Sequence, residues 1–206
     1  MKNQQRIGIT GGIGSGKSTV CRVLAAMGFP VYYSDAEAKR IMHEDEELIA
    51  SIRQVFGNDA YLDGKLNRAF IAGIVFRQPE KKEALDRLVH PKVRADFVNW
   101  CARQDQPLVF QESALLFETG GYKLLDRTVL VTAPEELRIR RVRERDGLST
   151  EAIRDRIRNQ LPDSEKTSLA DFTIENDDRR PVLPQVLEMI GKFSGDPQYC
   201  AVGNSR

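Results

Sequence analysis

A lysine and a serine follow a glycine-rich run near the start of the chain, in the segment GITGGIGSGKST (8–19). The spacing Gly11-x4-Gly16-Lys17-Ser18 is typical of a phosphate-binding P-loop, because glycines allow successive backbone N–H groups to turn toward one anion. Lys17 adds a positive charge for the β- and γ-phosphates, and the Ser18 hydroxyl can ligate the Mg²⁺ that accompanies a nucleoside triphosphate. We therefore predict a nucleotide site formed by Gly12, Ile13, Gly14, Ser15, Gly16, Lys17, Ser18 and Thr19.

Asp35 follows the apolar run PVYYS (30–34), which has the pattern of a short buried strand. In a parallel sheet, ligands collect beyond the carboxyl ends of the strands. A carboxylate there could accept or orient the proton of a hydroxyl presented to the γ-phosphate. The other interpretation is structural, with Asp35 as an ordinary N-cap of the helix that follows. The residue types leave both interpretations open.

Five arginines lie in the segment LRIRRVRERD (137–146). Arg141 and Arg145 are four residues apart and share one helix face, which could close over bound phosphates and supply charge in the transition state. We assign Arg138 and Arg143 to a solvated face of the same helix.

Strands and helices alternate along much of the chain and must position these residues. Short apolar runs predict five strands, at 6–10, 30–34, 108–112, 127–133 and 171–176. Helical spacing predicts helices that begin at Lys17 and end near Gly28, and others at 36–53, 134–145 and 150–160. The pattern favours an α/β fold of the P-loop NTPase type, with a mostly parallel five-stranded sheet and helices on both faces.

The alternation stops between Leu62 and Gln106, where we predict only helical segments, at about 67–77, 80–88 and 92–103. This divides the chain into a nucleotide-binding core (1–60 and 106–193, with a lid at about 140–155), a helical insertion (61–105) and a disordered tail (194–206).

Composition limits the classes of partner. The 206 residues carry 31 basic and 30 acidic side chains, so no global field favours nucleic acid or a membrane surface. The three cysteines are far apart in sequence, which argues against a disulfide framework or a structural zinc site. The N-terminus lacks the apolar region of a signal peptide, and no apolar run reaches the length of about 20 residues that a membrane span needs. We expect a cytoplasmic protein, monomeric or weakly homo-oligomeric, that acts on small molecules.

Several functions use such a loop. The chain contains neither D-x-x-G nor N/T-K-x-D, the usual signatures of GTPases, so the sequence does not indicate a GTPase. A small protein with a helical insertion and an arginine-rich segment favours a kinase, which must exclude water from the γ-phosphate. The alternatives are a nucleoside or nucleoside-monophosphate kinase and a nucleotide-gated binding protein. The binding protein leaves the combination of Asp35, Lys17 and the arginines unexplained.

The chain resembles the dephospho-coenzyme A kinase family from residue 6 to about 177. The resemblance is carried, in order, by TGGIGSGKST (10–19), SDAEAKR (34–40), LDRLVHPKV (85–93), LLFE (115–118), RRVRERDGLS (140–149), RIRNQ (156–160) and ADFTIEN (170–176). It implies transfer of the γ-phosphate of ATP, with Mg²⁺, to the ribose 3′-hydroxyl of dephospho-coenzyme A.

The resemblance also implies residue roles. Asp35 takes the catalytic base position and contacts the acceptor, with Lys17 and Arg145 as its catalytic partners. Arg141 and Asn176 would bind the nucleotide, the insertion would bind coenzyme A, and the segment 140–149 would be the lid. Further expected roles are acceptor binding by Arg68 and His90 and metal binding by Ser18 and Glu112. The family often has Asp at position 112 and Pro at position 114, where this chain has Glu and Ala.

Overall fold

The computed structural model describes residues 4–200. Its elements in chain order are β1 (Gln5–Thr10), α1 (Lys17–Ala26), β2 (Val31–Tyr33), α2 (Ser34–Glu44), α3 (Glu46–Phe56), β3 (Tyr61–Leu62), β4 (Lys65–Leu66), α4 (Arg68–Arg77), α5 (Pro79–Ala102), β5 (Leu108–Glu112), β6 (Arg127–Thr132), α6 (Glu135–Asp146), α7 (Thr150–Arg158), α8 (Asp163–Leu169), β7 (Phe172–Glu175), α9 (Val182–Ser194) and α10 (Pro197–Cys200). Two short 3₁₀ helices, Asn58–Ala60 and Gly121–Leu124, complete the set.

The described part of the chain divides into two compact units, of which the first comprises residues 4–32 and 104–200. It contains a five-stranded sheet in the order β2-β5-β1-β6-β7, and the pairings of β1 with β5, β1 with β6 and β6 with β7 are parallel. The predicted five-stranded α/β sheet is confirmed. Because parallel strands end at one edge, the loops after β1, β5, β6 and β7 leave the sheet together.

The core of the first unit explains why these segments are strands. The buried side chains of β1, Ile7 and Ile9, pack with Val129 and Val131 of β6 and with Ile174 of β7. Helices α1 and α9 cover the sheet with a second set of apolar residues, Val20, Cys21, Leu24, Val186, Met189, Ile190 and Phe193. This packing holds β1 and α1 firmly at either end of the glycine-rich loop.

The second unit, residues 33–103, is helical. Helix α5 packs against α2, α3 and α4. The unit therefore includes α2 and α3, which the sequence prediction grouped with the nucleotide-binding core. A small hairpin, β3 paired with β4, turns at Asp63 and Gly64, whose φ angles are +48° and +76°. Our expectation of helical segments alone in this stretch missed the hairpin, although a DG pair is a known hairpin signal.

Helix α5 runs through Pro91 without a break, so the prediction of two helices, 80–88 and 92–103, is wrong. Proline inside a helix removes a hydrogen bond and costs about 3 kcal/mol. The buried residues Val89, Val93, Phe97 and Cys101 recur every four positions across the proline. Burying each contributes roughly 1.5–3 kcal/mol, so the continuous apolar stripe outweighs the proline.

The helix predicted at 36–53 is also divided, at Asp45. This residue has an extended backbone, and its carboxylate accepts a hydrogen bond from the Leu48 amide at 2.9 Å. Asp45 thereby ends α2 and caps α3, a role for which aspartate is well suited.

The C-terminal part contains α8, α9 and α10, which the sequence analysis did not predict. The Tyr199 ring lies against Phe29, with 6.4 Å between ring centroids, and packs on the apolar core. Residues 194–200 thus differ from the predicted disordered tail because an aromatic side chain anchors them. The remainder of that predicted tail, 201–206, lies outside the described residues. Within residues 4–200, no helix combines the length and apolar character that a membrane span requires.

Candidate active site

The glycine-rich loop connects β1 to α1, and its glycines are required by close contacts. Gly14 and Gly16 have φ angles of +77° and +94°, in the left-handed region that favours glycine. A Cβ on Gly16 would overlap the side-chain amide of Asn176, and a Cβ on Gly12 would overlap the Arg138 guanidinium. Side chains from later elements therefore press directly against the loop.

Asn176 and Arg141 hold carbonyl groups of this loop. The buried Asn176 amide donates to the Ser15 carbonyl at 2.9 Å. Arg141 donates from Nη1 to the Gly14 carbonyl and from Nη2 to Asn176 Oδ1, both at 3.4 Å. Asp178 accepts a further hydrogen bond from Arg141 Nη2. The structure thus brings two predicted nucleotide-binding residues, Arg141 and Asn176, together at the glycine-rich loop.

Ile13 is held through both of its backbone polar groups. Its amide donates to Gln160 Oε1 at 2.9 Å, and its carbonyl accepts from Arg138 Nε at 2.9 Å. Arg138 Nη1 pairs with Asp163 Oδ2 at 3.0 Å. The assignment of Arg138 to a solvated face is wrong, because its side chain is only 6% exposed and its guanidinium has partners in two segments. Arg143 is exposed, as predicted.

Lys17 begins α1, whose first turn contains no acidic residue. Its ammonium donates to the Gly11 carbonyl at 2.9 Å and reaches the Gly12 carbonyl at 3.5 Å. The positive end of the α1 dipole and this ammonium lie together at the loop, so both favour an anion there.

The buried thiol of Cys21, one turn further along α1, has a pKa that depends on nearby charges. The pKa of Cys21 is raised to about 12, mainly by burial and also by the Glu112 carboxylate, while the Lys17 ammonium acts to lower it. The thiol is therefore protonated and unreactive at neutral pH. The same effects show that the charges of Lys17 and Glu112 both act on this part of α1.

Ser18, Thr19 and Glu112 lie at the ends of regular elements. Ser18 is the second residue of α1 and is exposed, and the Thr19 amide donates to the Gly16 carbonyl at 2.9 Å. Glu112 ends β5, in register with Ile9 of β1. Among residues 4–200, no three His, Cys, Asp or Glu side chains form a group suited to a metal ion.

Arg145 lies in the last turn of α6 and does not share the partners of Arg141. Its Nε and Nη2 donate to the two carboxylate oxygens of Asp146 at 2.7 and 2.8 Å. This pairing raises the pKa of Arg145 and lowers that of Asp146. The Arg145 side chain is 63% exposed, so it is accessible to a ligand that competes with Asp146.

Asp35 is an exposed residue in the first turn of α2, within the second unit. The N-cap of α2 is Tyr33, so the interpretation of Asp35 as the N-cap is wrong. The helix begins two residues earlier than predicted, which places Asp35 inside it. Its negative charge still complements the positive end of the helix dipole.

Arg68 and His90 also belong to the second unit. Arg68 is the exposed first residue of α4. His90 lies within α5, although the predicted helices 80–88 and 92–103 left it in the gap between them. Its Nε2 is 3.8 Å from Asp86 Oδ1. Burial lowers the pKa of His90, Arg94 and Lys82 lower it further, and Asp86 opposes them. His90 is therefore mainly neutral at pH 7.

An open cleft of about 690 Å³ lies in the first unit, beside α6. Pro134, Leu137 and Arg140 line it from the α6 side, and Asp178 and Arg179 line it from the loop after β7. The same Asp178 pairs with Arg140 at 3.0 Å and with Arg141. Helix α6 and the loop after β7 therefore border the cleft and also contact each other beside the glycine-rich loop.

Comparison with known proteins identifies relatives that match nearly the full length of this chain. The family model for dephospho-CoA kinase matches residues 5–181. A dephospho-CoA kinase of Bacteroides fragilis is 40% identical over 202 residues, covering 97% of this chain and 98% of that protein. A solved protein from Thermus thermophilus is 40% identical, covers 93% of this chain and 97% of its own, and has a TM-score of 0.81. The solved dephospho-CoA kinase from Campylobacter jejuni is 30% identical, covers 95% and 98%, and has a TM-score of 0.67.

The chain belongs to the dephospho-CoA kinase family. The resemblance stated from the sequence is confirmed. The family match includes the glycine-rich loop, α6 and the strand that ends before Asn176.

Sequence reasoning misassigned Arg138 and missed three further polar residues of the site: Gln160, Asp163 and Asp178. Gln160 ends the RIRNQ segment, so a signal existed without an indication of its role. Asp163 and Asp178 gave no signal, because an aspartate near a helix start or turn is ordinary. Together these residues hold the loop and the arginines in place.

Proposed function

We propose that this chain transfers the γ-phosphate of ATP to the ribose 3′-hydroxyl of dephospho-coenzyme A, giving coenzyme A and ADP. The observation that carries the proposal is the family match over residues 5–181, which includes an intact Gly11-x4-Gly16-Lys17-Ser18 loop. A nucleoside or nucleoside-monophosphate kinase is not favoured, because full-length relatives at 40% identity are dephospho-CoA kinases.

The loop supports binding of the phosphate chain. Its left-handed glycines allow backbone amides to converge, and the α1 dipole adds to the attraction. The Lys17 ammonium donates to the Gly11 carbonyl and lies 3.5 Å from the Gly12 carbonyl. We propose that its ammonium shifts to the β- and γ-phosphates of ATP, where it stabilises charge on the transferring group.

The donor set near the loop fits Mg²⁺ held largely by ATP. Mg²⁺ prefers oxygen ligands and is usually bound through one or two protein groups plus substrate phosphates. The Ser18 hydroxyl and the Glu112 carboxylate are oxygen donors of this kind, and no larger metal-binding group occurs within residues 4–200. When bound, Mg²⁺ would neutralise charge on the phosphates, with Ser18 as a direct ligand and Glu112 acting through water.

We assign the proton transfer to Asp35. What supports this role is an exposed carboxylate in the turn that follows β2, with no duty as an N-cap. A carboxylate can accept or orient the proton of the attacking 3′-hydroxyl during in-line transfer.

The lid arginines would complete the charge on the nucleotide side. Arg141 contacts the loop carbonyl of Gly14 and the buried Asn176, which supports a role for both residues at the nucleotide. The Arg145 side chain is exposed and pairs with its neighbour Asp146. We propose that it exchanges Asp146 for the transferring phosphoryl group when the lid closes.

We assign acceptor recognition to the second unit. Arg68 offers an exposed cation at the start of α4, and the half-buried His90 offers a neutral imidazole on α5. These roles, like the division into core, coenzyme A-binding insertion and lid, are proposals. We further propose that the protein acts in the cytoplasm as a monomer or weak homo-oligomer, without nucleic acid or membrane partners.

A two-acceptor assay tests the function. Initial rates of ADP formation would be measured with Mg-ATP and either dephospho-coenzyme A or a panel of nucleosides and nucleoside monophosphates. The proposal predicts turnover with dephospho-coenzyme A well above the rate with any nucleotide acceptor. A clear preference for a nucleoside monophosphate would overturn it in favour of the alternative kinase.

A further inference from the structure

Hydrogen bonds to the glycine-rich loop fix the direction of its peptide units. In a planar trans peptide, the C=O and the N–H point to opposite sides. No cis peptide bond occurs within residues 4–200. Since Arg138 binds the Ile13 carbonyl from α6, the Gly14 amide of the same unit points away from α6.

The preceding peptide unit obeys the same rule. The Gly12 carbonyl accepts within the loop, from the Ser15 amide at 3.1 Å, so the Ile13 amide points out of the loop. Gln160 Oε1 accepts a hydrogen bond from that outward-pointing amide at 2.9 Å. Arg138 and Gln160 therefore fix two successive peptide planes by holding one residue.

We propose that Arg138 and Gln160 are positioning residues of the phosphate site, which turn the Gly14 amide toward the phosphate chain through their hold on Ile13. The inference rests on the proposed function only in that the loop binds the phosphates of ATP. Neither side chain need touch ATP for this role, because each acts through the Ile13 backbone.

The segment that carries Gln160 is itself anchored. The amide of the next residue, Leu161, donates to Glu118 Oε1 at 3.0 Å. The ammonium of Lys166, a residue with 0% exposure, lies 2.9 Å from the same oxygen. A buried ion pair of this kind is costly to break, so it keeps the α7–α8 connection in one position. Asp163 in the same segment fixes Arg138.

The Ile13 side chain reinforces the link. It packs against the buried cluster of Ile139 and Val142 from α6 and Ile153 from α7. One loop residue is therefore held by its amide, its carbonyl and its side chain, through α6, α7 and the residue Gln160 that follows α7. The direction of the Gly14 amide thus depends on α6 and α7 remaining docked.

The first test compares Gln160→Met with Asn159→Met. Methionine has a similar length but a poor acceptor, so the Ile13 amide loses its partner. Asn159 is the exposed neighbour, and its replacement controls for a polar-to-methionine change in the same segment. Binding of Mg-ADP would be measured by calorimetry, and KM for ATP and for dephospho-coenzyme A by initial rates.

We expect Gln160→Met to weaken Mg-ADP binding and raise KM for ATP by about 10-fold, the effect of one lost hydrogen bond that leaves an amide unpaired. KM for dephospho-coenzyme A should change less than twofold, and Asn159→Met should match the wild type. A merely structural defect would lower the active fraction, and hence apparent kcat, without this selective change in KM.

Arg138→Lys provides the second variant. Lysine keeps a charge for Asp163, but its single nitrogen cannot serve both Asp163 and the Ile13 carbonyl. We expect weaker Mg-ADP binding and faster amide hydrogen exchange in the loop, with the fold retained. Folded Gln160→Met and Arg138→Lys proteins that bind Mg-ADP within twofold of the wild type would overturn the inference. Because this readout is binding, failure of the wild type to phosphorylate dephospho-coenzyme A would contradict the proposed function alone.

Discussion

Asn176 donates a hydrogen bond from its side-chain amide to the Ser15 carbonyl over 2.9 Å, although 161 positions separate the two residues in sequence. The contact joins the end of β7 to the loop after β1. The space that a Cβ on Gly16 would occupy is filled by the same amide. The loop's shape is therefore set by the tertiary fold as well as by its glycines.

Replacement of Gly16 by alanine tests this relationship against a matched control. Gly28 also has a positive φ, +86°, but no atom lies within 4 Å of a Cβ built there. We expect Gly28→Ala to lose about 1 kcal/mol of unfolding free energy with normal kinetics. Gly16→Ala should in addition displace Asn176 and weaken ATP binding at least 10-fold. Similar ATP affinities in the two folded variants would contradict the assigned contact.

The strands, the glycine-rich loop and the sheet type could all be predicted, because each depends on local residue pattern. The continuity of α5 could not be predicted from Pro91 alone, since it depends on an apolar stripe whose packing partners are distant in sequence. Arg138 was misassigned for a similar reason. Its neighbours are charged, and only the fold reveals that Ile13 and Asp163 meet it in the interior.

Arg145 and Arg141 should affect turnover more than stability. We expect Arg145→Ala to lower kcat by at least 10-fold with a small change in melting temperature, because its side chain is 63% exposed. Arg141→Ala should also raise KM for ATP, since it contacts the Gly14 carbonyl. Arg143→Ala, exposed on the same helix, is the control. Melting temperature and initial rates distinguish a catalytic role from a structural one. Variants that are destabilised but keep full activity per folded molecule would show that both arginines are structural.

Asp35→Asn tests the proposed base. The substitution preserves size while removing the negative charge, and no N-cap is lost because Tyr33 occupies that position. We expect kcat to fall by roughly 10²–10⁴-fold, the usual contribution of a general base, with ATP affinity within a few-fold of the wild type. Calorimetry with ATP and initial rates with dephospho-coenzyme A provide the paired data. A variant that keeps more than about a tenth of wild-type turnover would remove Asp35 from the mechanism.

The pair of Asp45 and Lys92 predicts a pH-dependent contribution to stability. The Lys92 ammonium lies 2.9 Å from Asp45 Oδ2, and hydrogen bonds from Lys92 and the Leu48 amide lower the pKa of Asp45 below its ordinary value of 3.8. A lowered carboxyl pKa stabilises the fold above the unfolded-state pKa, and this contribution disappears as the pH falls through the folded-state pKa.

Asp45→Asn keeps an acceptor for the α3 cap but removes the ion pair. At pH 7 we expect a loss of up to about 1 kcal/mol in unfolding free energy. Urea titrations from pH 7 down to pH 3 would follow the difference between wild type and variant. It should shrink below about pH 5, as Asp45 becomes protonated in the unfolded state. A difference that stays constant or grows on acidification would show that the ion pair is not its source.

The most direct measurement of the central claim is mass spectrometry of the acceptor after incubation of the protein with Mg-ATP and dephospho-coenzyme A. We predict that the acceptor gains one phosphoryl group and co-elutes with coenzyme A, which locates the phosphate on the ribose 3′-hydroxyl. Lys17→Ala, which lacks the ammonium at the β- and γ-phosphates, should form no product at saturating ATP. Unchanged dephospho-coenzyme A in the wild-type reaction, with ATP either intact or hydrolysed to free phosphate, would contradict the proposed function.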